Sequence, residues 1–462
     1  MSTYKLTNNK LNPNRVFILQ KSEIDKRFDP NSYRVEIRNV IQGLKKSGNK
    51  LENLKFVSNF NKNLVKEIPL DLPYVGLENI ESNTGTYIST TEKESISSAI
   101  IFKKGQVLFP KLRPYLNKVY YTEFDGVCST EFHVLDSKIV SNEYLANFLR
   151  TNIVVNQTKF LMSGNTLPRL QTEDIERLLI PILKPEEENK INFIMQKVYE
   201  QKKQNEAEAE KLLASIDDYL LNELGVILPI QKENTLQSRM FTTSLKELSS
   251  SRFDPNFHRI YFKDVFNSFE NGKYEYSVIK NHTSFQPGYA FKSTDYVDDS
   301  NCILITIKNI RQNQIDIKNT TYLPDEFYEI YEDFQIKKDD LLIAMTGATI
   351  GKVGIYDLDE KSLLNQRNGI IKTTNINSIY LMNLLNLKVF QSIILRNSNG
   401  GAQPNISETD IMKIKIPVPP LEKQIEIANH ISAIRQQAQA LKDKSKLALQ
   451  QANIEIENLL LN

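Results

Sequence analysis

Two long stretches of this chain carry apolar residues at helical spacing. In the first, residues 185–225, apolar side chains recur every three or four positions with polar residues between them. Pro185 suits a first helical turn, and Gly225 suits the left-handed residue just past the last turn. The pattern predicts a helix over residues 187–224, about 57 Å long. Its apolar face comprises Ile191, Ile194, Met195, Val198, Ala209, Leu212, Ile216, Tyr219, Leu220 and Leu224.

The second stretch begins at Leu421, and its apolar and small residues recur at steps typical of a heptad seam. Each long stretch follows one half of the chain. The first helix must carry the chain from the globule before it to a second globule after it, and the second helix must return from that second globule, so we expect antiparallel packing. Two unrelated surface helices are the alternative. The predicted seam comprises Ala428, Ile431, Ala438, Leu441, Ser445, Ala448, Ala452 and Leu459.

Polar residues interrupt the first apolar stripe at Lys202 and Asn205. A buried polar residue in such a seam fixes the register of the two helices at a cost in stability. A solvated break in the seam is the alternative. Asn205→Leu should raise the melting temperature only if the site is buried.

The two halves of the sequence repeat each other in order. The offset between matching segments rises from 225 to 236 residues, which indicates small insertions in the second copy. The matching segments are RFDPN at 27–31 and 252–256, KKGQVL at 103–108 with KKDDLL at 337–342, and SGN at 163–165 with NGG at 399–401.

Each copy is a globule of roughly 180 residues followed by a long helix. Short β-rich runs at 117–124, 302–310 and 340–345 alternate with turn signals, and short helices fit 141–160 and 379–394. Residues 227–240 have the composition of a linker. The predicted fold class is therefore α+β.

Composition limits the class of protein without identifying it. A chain of 462 residues is too long for a single hydrophobic core and should form two or more domains. Its 58 basic and 56 acidic residues give a net charge of only +2. A nucleic-acid surface would therefore have to arise from local clustering. With Cys128 and Cys302 as its only cysteines, no zinc-like spacing, no signal sequence and no apolar run of bilayer length, the sequence predicts a reduced, cytoplasmic setting without membrane or structural metal.

Enzymatic motifs are weak. The dinucleotide fingerprint, the P-loop and the Asn/Asp-Pro-Pro-Tyr/Phe loop of amino-methyltransferases are all missing from the sequence. Pro324-Asp325 with Asp359-Glu360-Lys361 superficially matches a nuclease carboxylate pattern. Residues 346–352 look like a phosphate loop, but a Gly-rich turn between strands is the alternative.

Polar loops follow corresponding predicted strands in the two copies. One loop offers two lysines, an arginine and a tyrosine after the strand ending near Phe109, and its counterpart offers hydroxyls and a lysine. The segment 364–368, which answers 128–132, is rich in groups that can contact base edges bidentately. One scaffold with two different polar loops is what reading two different half-sites requires. Ordinary solvated loops are the alternative.

The sequence resembles, over nearly its whole length, the specificity (S) subunit of type I restriction-modification systems. The motifs that carry the resemblance are KGQVLFPKLRPY at 104–115, DLLIAMTGATIGKV at 340–353, and GAQPNISETDI at 401–411, which leads into IPVPPLEKQ at 416–424. The first long helix departs from this pattern, since Glu188 stands where the second copy has Gln424.

The resemblance implies two target recognition domains joined by two long antiparallel helices, a coiled-coil-like spacer with pseudo-two-fold symmetry. The domains would be residues 1–184 and, with a linker, 226–420, and the spacer helices 185–225 and 421–462. Partners would be double-stranded DNA, two modification subunits and restriction subunits. The chain would be non-catalytic and bind no cofactor, because S-adenosylmethionine, ATP and Mg²⁺ would belong to those subunits.

We therefore predict a DNA-binding subunit that directs adenine methylation and restriction to a bipartite target. The competing hypothesis is a duplicated adaptor that binds no DNA and uses its long helices to dimerise partner proteins. The predicted DNA-binding residues are Lys111, Arg113, Tyr115 and Lys118 for one half-site, and Thr346, Thr349, Lys352, Asn365, Gln366 and Arg367 for the other.

Overall fold

A four-stranded antiparallel sheet recurs in the two halves of the chain. The computed structural model describes residues 16–19, 21, 24, 30–66, 72–89, 98–159, 161–162, 168–231, 235–245, 252–398 and 404–461. The repeated segments at 27–29, 163–165 and 399–401 lie outside these residues. Contacts divide the chain into two compact units, of which the first contains Met1–Ala207 and Leu441–Asn462 and the second contains Glu208–Ala440.

The first half of the chain supplies ten described strands and six described α-helices. The strands are β1 Lys50–Asn53, β2 Ser58–Asn61, β3 Leu64–Val65, β4 Tyr74–Val75, β5 Ala99–Phe102, β6 Val107–Pro110, β7 Tyr120–Tyr121, β8 Gly126–Ser129, β9 Phe132–Ser137 and β10 Leu179–Ile182. The helices are α1 Val35–Lys46, α2 Leu54–Val57, α3 Asn142–Leu149, α4 Asn152–Thr158, α5 Thr172–Glu176 and α6 Pro185–Leu224.

The second half repeats much of this order. Its strands are β11 Tyr276–Val278, β12 Thr283–Pro287, β13 Cys302–Ile305, β14 Ile310–Arg311, β15 Gln314–Ile315, β16 Thr321–Leu323, β17 Leu341–Ala344, β18 Val353–Ile355, β19 Lys361–Leu364, β20 Asn368–Thr373 and β21 Lys415–Pro417. Its helices are α7 Leu236–Arg239, α8 Ile260–Glu270, α9 Phe327–Ile330, α10 Ser378–Leu385, α11 Lys388–Asn397, α12 Glu408–Met412 and α13 Leu421–Leu461.

The sheets confirm the duplication. The order β2-β9-β6-β7 in the first unit corresponds to β12-β20-β17-β18 in the second, and all of these pairings are antiparallel. The two-stranded antiparallel sheet β1-β10 likewise corresponds to β11-β21. The second sheets differ, because the first unit has the four-stranded order β3-β5-β8-β4 and the second unit has the three-stranded order β16-β13-β19. The predicted α+β class is therefore confirmed, with one shared sheet and one divergent sheet.

Helix α6 ends as its sequence predicts. Gly225 has φ of +66°, in the left-handed region that glycine enters without steric cost. The backbone N–H of Val226 donates to Leu221 O at 2.9 Å, and that of Gly225 donates to Asn222 O at 3.0 Å. These two bonds form the Schellman arrangement that satisfies carbonyls at a helix C-terminus.

The two long helices run antiparallel within each unit. In the first unit Asn205 of α6 contacts Ser445 of α13, with Nδ2 3.0 Å from Oγ. In the second unit Lys423 pairs with Glu223 at 2.7 Å, and His430 stacks on Tyr219 with ring centroids 4.2 Å apart. Moving towards the N-terminus of α6 therefore means moving towards the C-terminus of α13. The alternative of two unrelated surface helices is excluded.

Most of the predicted seam is buried, with one error. Ala428, Ile431, Ala438, Ser445 and Ala452 are buried, whereas Leu459 is 39% exposed. The helix instead buries Leu449, Ile456 and Leu460 in the core of the first unit. The residues expected from strict heptad spacing drift off the contact face because an α-helix has 3.6 residues per turn.

Shorter predicted elements are interrupted by local polar contacts. The helix expected at 141–160 is broken at Thr151, whose backbone is extended and whose hydroxyl donates to Phe148 O at 2.7 Å. The strand expected at 302–310 stops at Ile305, because the N–H of Asn309 turns back to Thr306 O. The strand expected at 117–124 is only β7, since Arg113 and Asn117 have positive φ and a 3₁₀ turn lies between them.

Candidate nucleic-acid interface

The predicted polar loops lie at equivalent places in the two shared sheets, where the central strands β6 and β17 end and β9 and β20 begin. We call this end of the central strands the edge of the sheet. In the first unit the end of β6 pairs with the start of β9, so Pro110 is opposite Phe132. In the second unit Ala344, at the end of β17, is opposite Asn368, at the start of β20. The loop after the one strand and the loop before the other therefore meet at this edge in each unit.

The backbone at this edge is the same in both units. Lys111 N–H donates to Glu131 O at 2.8 Å, as Met345 N–H donates to Arg367 O at 2.9 Å. One position further, isolated bridges join Leu112 to Arg169 and Thr346 to Asn405. Next to these, Arg113 N–H donates to Pro168 O and Gly347 N–H donates to Pro404 O. The units therefore share a frame and differ in the side chains that it carries.

Two of the predicted cations in the first unit are directed at backbone carbonyls. The ammonium of Lys111 donates to Thr130 O at 2.6 Å, and that of Lys118 donates to Leu77 O at 2.7 Å. Burial lowers the pKa of Lys111 and also that of Lys118. Each ammonium thus stabilises a loop inside its own unit, and only its remaining N–H donors are available to a ligand.

The other two predicted residues of the first unit project outwards. Arg113 is exposed and has φ of +48°, a left-handed conformation that is uncommon for a residue with a side chain. Tyr115, in the 3₁₀ turn that follows, is 44% exposed. These two side chains are the better placed half of the predicted set for contact with DNA.

The hydroxyls predicted in the second unit lie in a turn between antiparallel strands. Residues Gly347–Thr349 form a 3₁₀ turn between β17 and β18, and Gly347 and Gly351 have φ of +71° and +79°. A P-loop joins a strand to a helix N-terminus, so the phosphate-loop interpretation of 346–352 is wrong. Thr346 is buried, while Thr349 and Lys352 are half-buried.

The segment 365–367 contains two further exposed residues of the predicted set. Asn365 uses its own Oδ1 to accept the N–H of Gln366 at 2.8 Å, which holds the loop. The side chains of Gln366 and Arg367 are exposed, and Arg367 has φ of +69°. Non-glycine residues held in the left-handed region cluster at functional sites.

Two cavities flank Arg367 in the second unit and share its side chain and Thr346. One has a volume of about 450 Å³ and the other about 360 Å³. The first is also lined by polar and basic residues outside the predicted DNA-binding set, and the second by two further asparagines. These additional lining residues are Lys308, Asn309, Arg311, Asp316 and Asn319 in the first cavity, and Asn368 and Asn405 in the second.

A sequence signal existed for some of these residues. Asn405 lies in the motif at 401–411 that carried the family resemblance, Lys308 lies near the end of the strand predicted at 302–310, and Arg311 directly follows it. Tyr289 gave none. It is 38% exposed, and its carbonyl accepts the N–H of Gln366 at 2.8 Å, which places it beside the predicted loop.

The structure gives no support to a metal-dependent nuclease. Asp325 accepts hydrogen bonds from Ser300 Oγ at 2.6 Å and from the backbone of Asn301 at 2.9 Å, and Asp359 pairs with Lys338 at 2.9 Å. In the part of the chain that the structure describes, no group of three or more His, Cys, Asp or Glu residues is placed to hold a metal ion. Asp325 and Asp359, two carboxylates of the pattern, therefore each have a different partner within their own unit.

Comparison with known proteins places the chain in a family. The sequence profile of the type I restriction modification DNA specificity domain matches residues 43–214 and 262–451. The two matched segments coincide with the two copies of the repeat. The chain therefore belongs to this family, and its role is in DNA sequence specificity, which disfavours an adaptor that binds no DNA.

Individual relatives are similar over different lengths of the chain. The chain is 24% identical to the type I restriction enzyme MjaVIII specificity subunit of Methanocaldococcus jannaschii, over 84% of this chain and 85% of that protein. It is 32% identical to the type I restriction enzyme EcoDI specificity subunit of Escherichia coli over 119 residues, 24% of this chain and 27% of that protein. A crystal structure of the HsdS subunit from Thermoanaerobacter tengcongensis is similar over 89% of this chain and 95% of that one, with 16% identity and a TM-score of 0.36.

Among the described residues no single helix has the length and apolar composition of a membrane span. Only the bent pair α10 and α11 passes such a test jointly. Both helices contribute to the core of the second unit.

Proposed function

We propose that this chain recognises a bipartite DNA target and brings partner subunits to it. The observation that carries the proposal is the shared sheet, whose equivalent edge bears different polar side chains in the two units. Arg113 and Tyr115 project from the first, and Gln366 and Arg367 from the second. A frame that is kept while its side chains differ suits the reading of two different half-sites.

The chemistry would belong to other subunits. Two modification subunits would methylate adenine with S-adenosylmethionine, and restriction subunits would use ATP and Mg²⁺ for translocation and cleavage. In this proposal the chain itself is non-catalytic and binds none of these cofactors. The absence of a dinucleotide fingerprint, a P-loop and an amino-methyltransferase loop from its sequence supports that division.

The test is the pattern of methylated adenines in DNA from cells that carry this chain together with its modification partner. We expect a motif of two short specific sequences separated by a spacer of fixed length. Cells that carry the modification partner alone are the control and should lack the motif. Methylation without any motif, or a motif that is one continuous sequence without a spacer, would contradict a bipartite specificity role.

A second measurement distinguishes DNA binding from the adaptor function. The affinity of the full chain for duplex DNA should fall steeply with salt, because each phosphate contact releases counterions. An adaptor that binds no DNA would show no such dependence. This test matters because the net charge of +2 gives no indication of its own.

A further inference from the structure

The two cavities beside Arg367 form one surface, which we call the Arg367 cleft. Thr346 and Arg367 line both cavities, Asn368 and Asn405 line one, and Lys308 and Arg311 line the other. All six residues belong to the second unit. Only Thr346 and Arg367 were among the DNA-binding residues predicted from the sequence.

The same place in the first unit is filled by an internal ion pair. Arg169 contacts Glu131 through two bonds, Nη2 to Oε1 at 2.6 Å and Nε to Oε2 at 3.1 Å. The residues at these two backbone positions in the second unit are Asn405 and Arg367. An arginine therefore replaces the carboxylate, and the described residues offer its guanidinium no ion pair or side-chain hydrogen bond. The second unit leaves open what the first unit closes.

The cleft also contains a buried polar atom without a hydrogen-bond partner among the described residues. Asn368 is 1% exposed, and its Oδ1 has no hydrogen-bond partner, although its Nδ2 donates to the carbonyls of Asn365 and Gln366. Thr346 is 8% exposed, and its hydroxyl makes no hydrogen bond within the described part of the chain. A buried acceptor is costly to leave unpaired, so the Oδ1 of Asn368 points to a ligand that donates N–H, directly or through one water. The first unit has Phe132 at the position of Asn368, so it lacks this acceptor.

Positive charge lines the larger of the two cavities. Lys308 is exposed, and the single carboxylate that pairs with Arg311 among the described residues is distant, with Nε 3.9 Å from Asp316 Oδ2. Together with Arg367 these side chains give the cleft three cations against one carboxylate. A polyanionic strand is therefore the ligand that the local charge favours.

We propose that the Arg367 cleft reads bases in one target half-site, and that Lys308 and Arg311 hold the phosphate of the same strand. The unpaired acceptor of Asn368 favours an amino group, which adenine and cytosine present in the major groove. The hydroxyl of Thr346 can accept from such a group or donate to an acceptor on a base edge. Arg367 and Asn405 contact neighbouring base edges, where a guanidinium favours guanine and an amide favours adenine. This inference rests on the proposed function and assigns its chemistry to particular residues.

Variants that keep the backbone test the base contacts. Arg367→Asn removes the guanidinium while retaining a residue that tolerates positive φ, and Thr346→Val removes the hydroxyl while keeping the shape of the side chain. Each variant is expressed as the full chain with its modification partner, and methylated adenines are sequenced. We expect relaxed preference at one base position of one half-site, with discrimination reduced roughly 10-fold or more, and an unchanged second half-site.

A separate variant tests the phosphate contacts. The double variant Lys308→Ala with Arg311→Ala should weaken binding to all sequences alike and leave the methylated motif unchanged. The slope of log affinity against log salt should decrease by about 0.9 for each phosphate that the variant no longer neutralises. Lys280→Ala is the matched control, because Lys280 is exposed near the Thr283 end of β12, whereas the cleft lies at the Pro287 end. It should change neither quantity.

The outcomes separate this inference from the proposed function. Wild-type motif and affinity in both Arg367→Asn and Thr346→Val would overturn the base-reading role. A wild-type salt slope in the double variant would overturn the phosphate role. In both cases bipartite methylation by the unaltered chain would leave the proposed function intact. If the unaltered chain directs no methylation and binds DNA without salt dependence, the function itself fails, and the cleft inference fails with it.

Discussion

Residues of the same chemical type do different work at the edges of the two shared sheets. Lys111 and Lys118 were predicted as DNA contacts because of their charge, yet both direct their ammonium groups to carbonyl oxygens of their own unit. Gln366 has an exposed side chain, and its backbone N–H is already occupied by the carbonyl of Tyr289. A side chain that makes no hydrogen bond within its own unit can be removed without unfolding the loop. Gln366 is thus the clearest single test of base reading.

Gln366→Ala should relax one base position of one half-site and leave the other half-site unchanged. The expected loss of discrimination is about 1–3 kcal/mol, because glutamine can bond two atoms of a base edge. It is measured as the ratio of dissociation constants for the methylated motif and for the same duplex with one base exchanged. Gln237→Ala, an exposed glutamine in α7, is the control. Uniform weakening with an unchanged motif would remove Gln366 from the base-reading residues.

His133 should make the stability of the first unit depend on pH. Burial, and then the charges of Lys111 and Lys62, lowers the pKa of His133 to about 3. Its folded pKa is below its unfolded value, so the stabilisation is complete above the unfolded pKa and is lost as the pH falls towards 3. The free energy of unfolding should decrease by up to about 1.4 kcal/mol per pH unit in this window.

The control for this prediction is His133→Phe, because the imidazole packs edge-on against Phe60 with ring centroids 5.2 Å apart. Denaturant unfolding of both proteins is followed from pH 7 to pH 4. The difference between them isolates the imidazole from carboxyl groups such as Asp217 and Glu457, whose pKa values are raised by burial. Parallel curves would show that His133 does not take up a proton on unfolding.

At the scale of elements, the long helices combine a shared plan with local differences. Glu188 and Gln424, which distinguish the two helix starts, have the same task. Glu188 accepts the N–H of Ser141 at 2.9 Å, and Gln424 accepts the N–H of Asn377 at 2.8 Å. Both side chains are buried against their own globule. The departure from the family pattern therefore lies inside the unit and not on an exposed helix face.

The polar interruption of the α6 stripe is buried, as one of the two sequence hypotheses required. Asn205 is 4% exposed, donates to Ser445 Oγ and accepts from Gln201 Nε2 at 2.9 Å. Lys202, one turn away, is 7% exposed and pairs with Glu81 and Glu206 at 3.0 and 2.9 Å. Each of these polar groups therefore has a partner.

Replacing both partners at this point should stabilise the helix pair. Asn205→Leu combined with Ser445→Ala replaces a buried polar contact by apolar packing and leaves neither partner behind, so we expect a higher melting temperature. Asn205→Ala alone should lower it and reduce the free energy of unfolding by about 1–3 kcal/mol. The variant leaves a cavity and removes the hydrogen bond that the Ser445 hydroxyl accepts, although that hydroxyl still donates to Leu441 O at 3.0 Å. Thermal unfolding of the three proteins is the measurement. A lower melting temperature in the double variant would mean that the polar pair is itself stabilising.

At the scale of the whole molecule, the compact units do not end where the helices begin. Each unit contains one part of α6 and one part of α13, because the division falls after Ala207 and after Ala440. The domain boundaries at 184/185 and 420/421, which follow chain order, remain predictions. Since both helices contribute to both units, a change in helix length alters the connection between two otherwise intact globules.

Removal of one heptad from each long helix should shorten the spacer of the recognised DNA target. The matched segments are residues 208–214 and 434–440, which are opposite each other in the antiparallel pairing defined by Glu223 with Lys423 and Tyr219 with His430. Seven residues preserve the heptad register, so both half-site sequences should be retained. Sequencing of methylated adenines measures the spacer. Altered half-sites with an unaltered spacer would contradict the hypothesis that the length of the helices sets the distance between the two half-sites.

The sequence by itself determined the architecture of this protein. Periodic apolar spacing defined α6 and α13, the ordered repeat defined two related globules, and the repeated motifs pointed to the family to which the chain belongs. These features are predictable because helical periodicity and repeated motifs are recorded along the chain, residue by residue.

Only the tertiary structure decided which polar groups are free. Lys118 bonds a carbonyl 41 positions away, and Arg169 closes on Glu131 across 38 positions. At the equivalent place, Arg367 and Asn405 border a cleft in which the Oδ1 of Asn368 has no partner. A lysine or an arginine looks the same in the sequence whether a distant carbonyl satisfies it or not. The availability of these groups is set by contacts between segments far apart in the chain, which local patterns do not encode.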